Sequence, residues 1–388
     1  MKTNLQTHSF ASGKLYSHAL LSALMVLGLA FGNGAGKPDK KKKTKSTHEI
    51  SWRYESYKIK SSAVLSIALP NMLGSGQTQI LTGCFDTGTL ALYQKEEKGL
   101  KFIRSVGQVK GGITDIKLLS MDGAQNKAVV VHEGTGTIEI FDLKSNDKPI
   151  TLFHGPHSIN SVKIADFNGD GLGDIIPVSY DGRTEVWFQN TENEGFVKRK
   201  LPVISRKVSA IEVADFDFDG DQDILIASDY SKMIKIFVNE GQGDFTRAAI
   251  ADGVTGVLDI EVLDMDMDGY MDVAYASHHE KQVQLLLQKE EGFVRRKVST
   301  KLRSLNNIEV FDLANNGRPD LVISSFDDDA IRIIENSASG LREHQFLASI
   351  PAPTDIEIKS DPVSHKTTVY VSTLAKNRVF EIDVALEQ

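Results

Sequence analysis

Four stretches decide the fold: IADFNGDGLGDIIPVS (164–179), VADFDFDGDQDILIAS (213–228), VLDMDMDGYMDVAYAS (262–277) and VFDLANNGRPDLVISS (310–325). Their first aspartates, Asp166, Asp215, Asp264 and Asp312, are spaced by 49, 49 and 48 residues. The same frame extends in weaker form to Asn71 in IALPNMLGSGQTQILT (67–82), to Ser120 in IKLLSMDGAQNKAVVV (116–131) and to Ser360 in IEIKSDPVSHKTTVYV (356–371). Seven units of about 48 residues result. A period of that length marks a repeat architecture whose units bury their faces against one another.

Each unit reads as four short strands. In the fourth they are AIEVAD (210–215), DILIAS (223–228), MIKIFVN (233–239) and DFTRAAI (244–250). Ile, Val and Phe dominate, Gly and Asp mark the turns, and no long 3.6-residue periodicity appears. The expectation is an all-β, seven-bladed β-propeller of four-stranded antiparallel blades, with a sandwich or solenoid as the alternative. The last unit supplies only DIEIKS, TTVYVS and RVFEIDV before the chain ends, whereas EISWRYESYKIK (49–60) precedes the first unit. The N-terminal strand is therefore expected to complete the seventh blade and remove an open sheet edge.

The loop inside each strong unit follows D-x-[DN]-x-[DN]-G-x-x-D. The residues are Asp166, Asn168, Asp170 and Asp174 in the first, Asp215, Asp217, Asp219 and Asp223 in the second, and Asp264, Asp266, Asp268 and Asp272 in the third. Calcium takes six to eight hard oxygen ligands, and alternate positions of a tight loop can aim carboxylates at one point. The seventh residue, Leu172, Asp221 or Tyr270, can add its backbone carbonyl. An EF-hand is excluded: it needs Glu at position twelve and flanking helices, and here position twelve is Pro177, Ile226 or Tyr275 between strands.

Residues 60–388 resemble the FG-GAP/VCBS repeat family, the calcium-loop propellers of integrin α-chain heads and many secreted bacterial proteins. The resemblance rests on the Asp loop, its place between two strands, the period, and turns such as NEGQGDF (239–245). It implies about three calcium ions, one in each of these loops. The fourth loop departs, with Ala314 in place of a ligand beside Asp312, Asn316 and Asp320, and is expected to bind weakly or not at all. The loops at Asn71, Ser120 and Ser360 are expected to be metal-free.

Residues 19–31, ALLSALMVLGLAF, form an apolar run of 13 after a start carrying Lys2 and Lys14 and no acid. That is short for a membrane span and fits a signal-peptide core. The expected organisation is a signal peptide (1–35), a Lys-rich spacer (36–48) containing KPDKKKKTKS, and the propeller (49–388). An uncut signal anchor is the alternative. The chain carries a net charge of −8, which becomes −15 for residues 47–388. An acidic body argues against nucleic-acid binding. Cys84 is the single cysteine, so no intramolecular disulfide forms.

Loops between second and third strands carry Phe85, His132, Tyr180, Tyr230, His278 and Phe326, and loops entering the first strands bring His157, Arg206 and Arg303 to the same face. Recurring aromatics beside polar groups suit a protein or sugar surface. Glu212, Glu261, Glu309 and Glu357 share one inner-strand position with Lys117 and Lys163. Paired carboxylates can do acid–base work, but repetition by blade argues for a channel lining. No G-x-S-x-G, H-E-x-x-H or P-loop signature appears. The expectation is an exported protein (periplasmic, cell-surface or secreted) that binds a protein or glycan without catalysis. It would act as a monomer or as a subunit of an envelope complex, with no stable membrane span after signal cleavage. A polysaccharide lyase or hydrolase working at the channel mouth, or a purely structural envelope subunit, are the rival readings.

Overall fold

The computed structural model describes residues 50–386, apart from 61–62, 71–76, 122–123, 134, 155–158, 180–182, 192–194, 299–301, 314–315, 349, 362–365 and 376. The expected signal peptide and spacer, and the calls on Asn71, His157, Tyr180 and Ala314, lie outside these residues. The described residues form 28 strands, β1 to β28 in chain order, arranged as seven four-stranded antiparallel sheets. Six sheets are sequential. The seventh has the order β1-β28-β27-β26, so β1 (Ile50–Lys58) closes the ring against β28 (Arg378–Leu386). The pairing runs from Ile50 opposite Leu386 to Lys58 opposite Arg378. Across the seam to the first blade, Lys95 lies over the Tyr57 ring and pairs with Glu381 at 2.8 Å. The expected propeller and its closure are both present.

Burial follows position in the blade. The second strands β11 (Asp174–Ser179), β15 (Asp223–Ser228), β19 (Asp272–Ser277) and β23 (Asp320–Ser325) are buried at every residue. Each has a neighbouring blade on both faces, and a strand covered on both faces reads as a continuous apolar run rather than an alternating one. The core accordingly lies between blades: Leu263, Ala274 and Leu285 of the fifth pack with Leu305, Ile308 and Leu321 of the sixth. The outer strand β21 (Gly292–Val298) is mostly exposed.

Inner strands have an edge toward the axis whose backbone N–H groups need acceptors. Side chains of the preceding blade supply them. Asp355 Oδ2 accepts the Ile67 N–H at 3.0 Å, Ser66 Oγ that of Ile116 at 3.1 Å, Asp115 Oδ2 that of Val162 at 3.0 Å, and Asp259 Oδ2 that of Ile308 at 3.1 Å. A register shift just before this position recurs in all seven inner strands, as between Val257 and Asp259. A bulge re-aims side chains, and here the bulged residue and the one after it, such as Leu258 and Asp259, line the channel.

Candidate metal loops and central channel

The Asp loops join first to second strands. Their turns form because the first aspartate folds the backbone around itself. Asp166 Oδ1 accepts the N–H of Gly169 at 2.8 Å and of Asp170 at 3.1 Å, and Oδ2 that of Gly171 at 2.7 Å. Asp264 does the same for Asp268 and Gly269, and Asp312 for Asn316 and Gly317. The position-six glycines Gly220 and Gly269 have φ of 97° and 88° with no atom crowding them, so backbone conformation and not space selects glycine there.

The ninth-position aspartates do something the sequence did not announce. Asp174, Asp223, Asp272 and Asp320 are each 0% exposed. One carboxylate oxygen accepts the N–H of the loop's second residue: Phe167 at 2.9 Å, Phe216 at 2.8 Å, Met265 at 2.9 Å and Leu313 at 2.8 Å. The other accepts an N–H at the end of the third strand: Asn190, Asn239, Gln288 and Asn336, at 2.7, 2.8, 2.8 and 2.6 Å. Each therefore pins its loop to the blade behind it. Burial pushes Asp174 up to about 7 and the other three up to about 6. Asn239 and Asn336 then donate to the carbonyls of Phe167 and Met265, tying each loop to the next blade.

The remaining positions, joined in the second loop by Asp223, form the cradle. Ligand atoms of Asp215, Asp217 and Asp223 lie within 4.8 Å of one another, as do those of Asp264, Asp266 and Asp268. In the first loop Asp166 and Asp170 share the turn with Asn168. Asn168 Oδ1, Asp215 Oδ1 and Asp266 Oδ1 are buried acceptors with no hydrogen-bond donor. One orphaned oxygen in each of three loops is what a hard cation would satisfy, so the donor set fits calcium. Burial and the neighbouring Asp219 and Asp215 push Asp217 up. In the third loop a cation is already present: Lys289 Nζ pairs with Asp266 Oδ2 and Asp268 Oδ2. Its hydrogen bond holds Asp268 below the usual carboxylate range. The fourth loop keeps the backbone turn, with Asn316 Oδ1 accepting the Arg318 N–H at 2.8 Å, but has fewer carboxylates.

The expected partner face is less open than the sequence suggests. Tyr230 is 66% exposed. Arg303 is exposed and held by Asp328, with Nε to Oδ1 at 2.7 Å. His132, however, is only 3% exposed beside Glu139, and its pKa falls to about 4 through burial, so a partner would not reach it. The cause is local packing: the Glu133 N–H donates to the Gly112 carbonyl at 2.8 Å, folding this turn against the entry to the first strand of its blade. Phe85 and Phe326 are half-buried, and His278 is half-buried with its ring 6.0 Å from that of His279. Arg206 ends β13 (Gly195–Arg206). On the opposite face Phe218, Met267 and Tyr270 are 56%, 45% and 43% exposed, all within the second and third Asp loops. Phe218 and Met267 both have φ of 63°, a left-handed conformation uncommon for large side chains.

The axis holds a cavity of about 80 Å³, lined by Asp115, Lys117, Lys163, Asp259, Glu261, Glu309 and Asp355 among others. Lys163 contacts Glu212. Burial, together with the neighbouring acids, pushes Glu261 and Glu309 well above the carboxylate range, and burial takes Glu357 up to about 7. Asp115 raises Lys117 against the effect of burial. Glu261 and Glu309 of the shared Glu position thus line the channel as the repeat frame predicts, beside Lys117 and Lys163.

Seven four-stranded blades, four of them with an Asp loop at the first turn, make up the propeller. Residues 166–226 and 215–275 match the family model described as FG-GAP-like repeat. The chain is thus a seven-bladed β-propeller that carries FG-GAP-like repeats over residues 166–275. No curated protein matches it in sequence. Among solved structures it is similar to virginiamycin B lyase from Staphylococcus aureus, with 12% identity, 86% of this chain and 99% of that one covered, and a TM-score of 0.60. It is also similar to BBS1N, solved in complex with ARL6DN, at 12% identity, 83% and 92% coverage and a TM-score of 0.59. Sqt1 of Saccharomyces cerevisiae gives 12%, 86% and 98%, and 0.55. At that identity the likeness concerns the fold. Among the described residues no helix is long and apolar enough to cross a membrane.

Proposed function

We propose that this propeller is a calcium-stabilised, non-catalytic binding module whose contact surface is the Asp-loop face of the fourth and fifth blades. The observation that carries the reading is the placement of Phe218, Met267 and Tyr270. Three of the seven large apolar side chains exposed among the described residues stand on two adjacent acidic loops. Exposed apolar groups clustered beside charge mark interaction surfaces, and aromatic residues and Met are enriched at protein interfaces. A protein partner is therefore favoured over a glycan. Calcium would be held by the carboxylates of Asp166, Asp170, Asp215, Asp217, Asp219, Asp264, Asp266 and Asp268, the Asn168 amide oxygen, and the carbonyls of Leu172, Asp221 and Tyr270. It would offset carboxylate repulsion and so fix the loops that display the apolar side chains. The short apolar run at residues 19–31 supports export.

The similar folds include one named as a lyase and one solved with a protein partner, so fold alone does not choose between catalysis and binding. The test is a pull-down from cell-envelope extract and medium, with calcium and with chelator. A partner retained with calcium, and lost on Phe218→Ser together with Met267→Ser, is the expected result. Retention by the double variant would remove this face from the reading. Turnover on a polysaccharide panel would replace the binding module with an enzyme.

A further inference from the structure

The three acidic loops are served by different residues at one third-strand position outside the loop pattern. The third-strand residues pinned by the ninth-position aspartates, Asn190, Asn239 and Gln288, are followed by Thr191, Glu240 and Lys289. Thr191 donates its hydroxyl to the Gly195 carbonyl at 2.7 Å, and Glu240 accepts from Thr246 Oγ1 at 2.9 Å. Both turn into their own hairpins. Lys289 instead reaches into the blade-five loop and engages one oxygen each of Asp266 and Asp268, 23 and 21 residues away.

We propose that Lys289 is a tethered counter-ion that competes with calcium for the blade-five loop, so that this loop fills last and releases the lysine when it does. The proposal rests on the calcium reading of these loops. An ammonium is a compact point charge on a flexible four-carbon stem. The oxygens it occupies belong to the third and fifth loop positions, which a calcium ion would also need, and the two cations cannot share that space. Filling the site therefore requires breaking both ion pairs, whereas among the described residues no lysine or arginine pairs with the blade-three or blade-four loop. The Lys289 side chain is 38% exposed, so it has a path to solvent. Ion pairs at that exposure are weak, and their loss weakens calcium binding by roughly tenfold rather than abolishing it. The calcium-free loop stays folded because the lysine holds it, and the Asp-loop face gains a free ammonium beside Tyr270 only at high calcium.

Calorimetric titration of the protein with calcium chloride, compared with Lys289→Thr (the residue blade three carries) and Lys289→Met (which keeps most of the stem), tests this. The wild type is expected to show one site roughly tenfold weaker than the others, and both variants to bring that site into the tight class without changing the number of ions. Acylation of Lys289 followed by mass spectrometry is expected to run several-fold slower without calcium than at saturation. Calcium binding with superimposable isotherms, or a Lys289 acylation rate indifferent to calcium, would overturn the competition while leaving the calcium loops intact. Absence of calcium binding by all three proteins would overturn the calcium reading and this inference together.

Discussion

The Asp loops and the central channel both concentrate carboxylates, and they handle them in opposite ways. In the loops the side chains of positions one, three and five sit on glycine turns, with one buried, unpartnered oxygen in each of three loops. In the channel the acids sit on inner strands, ringed by backbone N–H donors and two lysines. An exposed cluster on a tight turn offers its oxygens to a cation. A buried cluster gives up charge by taking protons. The same residue types thus suit a cation in one place and proton uptake in the other.

The sharpest way to break that contrast is chelation. With free calcium a hundredfold above the dissociation constant, each filled site adds about 2.7 kcal/mol, so two tight sites contribute about 5 kcal/mol. Thermal unfolding at pH 7.5 is expected to move down by several degrees on adding chelator. An unchanged Tm would remove the metal from the loops and leave them as aspartate turns.

Next in size is the separation of the ninth position from the cradle. Asp320→Ala strands the buried Leu313 and Asn336 N–H groups. Each orphaned donor costs about 1–3 kcal/mol, so about 4 kcal/mol is expected, with or without calcium. Asp219→Ala, at an exposed cradle residue, is expected to cost nothing in chelator and to lower only the calcium-dependent gain. Equal losses from both variants in chelator would merge the two roles.

The channel is tested by pH. Burial raises Glu357 from the usual 4.5 to about 7. A carboxyl whose folded pKa lies above its unfolded one gives stability that is complete below the unfolded value and lost as pH rises through the folded one. Stability should therefore decline between about pH 4.5 and 7.5. Glu357→Gln is expected to match the wild type near pH 4 and to exceed it at pH 8. At 1.36 kcal/mol per unit the gain is at most about 3 kcal/mol, and loss of the attraction to Lys117 reduces it. Parallel pH profiles for variant and wild type would show that Glu357 is ionised in both states.

How much of this the sequence could reveal depends on how local each feature is. The cradle spacing lies within nine residues, so Asp215, Asp217 and Asp219 could be read directly. Ring closure was legible because EISWRYESYKIK stands before the first unit while the last lacks a strand. The second job of Asp320 was hidden, because Asn336 arrives only through strand pairing, 16 residues on. Lys289 was hidden for the same reason, and the burial of His132 depends on a turn packing onto Gly112. The display of Phe218 and Met267 could have been noticed: large apolar residues stand at a loop position where the first loop has Gly169.

The smallest effect concerns a gap in the inner bracelet. At four junctions a side chain of one blade accepts the backbone N–H of the next blade's inner strand. In blade four the corresponding residue is Ala210, which has no acceptor to offer. The next N–H, that of Ile260, turns instead to Oδ1 of the adjacent Asp259 at 3.2 Å. Ser66 shows that a serine hydroxyl is long enough, reaching the Ile116 N–H at 3.1 Å. Ala210 lines the axial cavity, so one added oxygen has room. Ala210→Ser is therefore expected to raise stability by about 1 kcal/mol, at all pH values and calcium levels. A gain confined to low pH would instead tie the hydroxyl to the channel carboxyls, and no gain would mean that Asp259 already satisfies this junction.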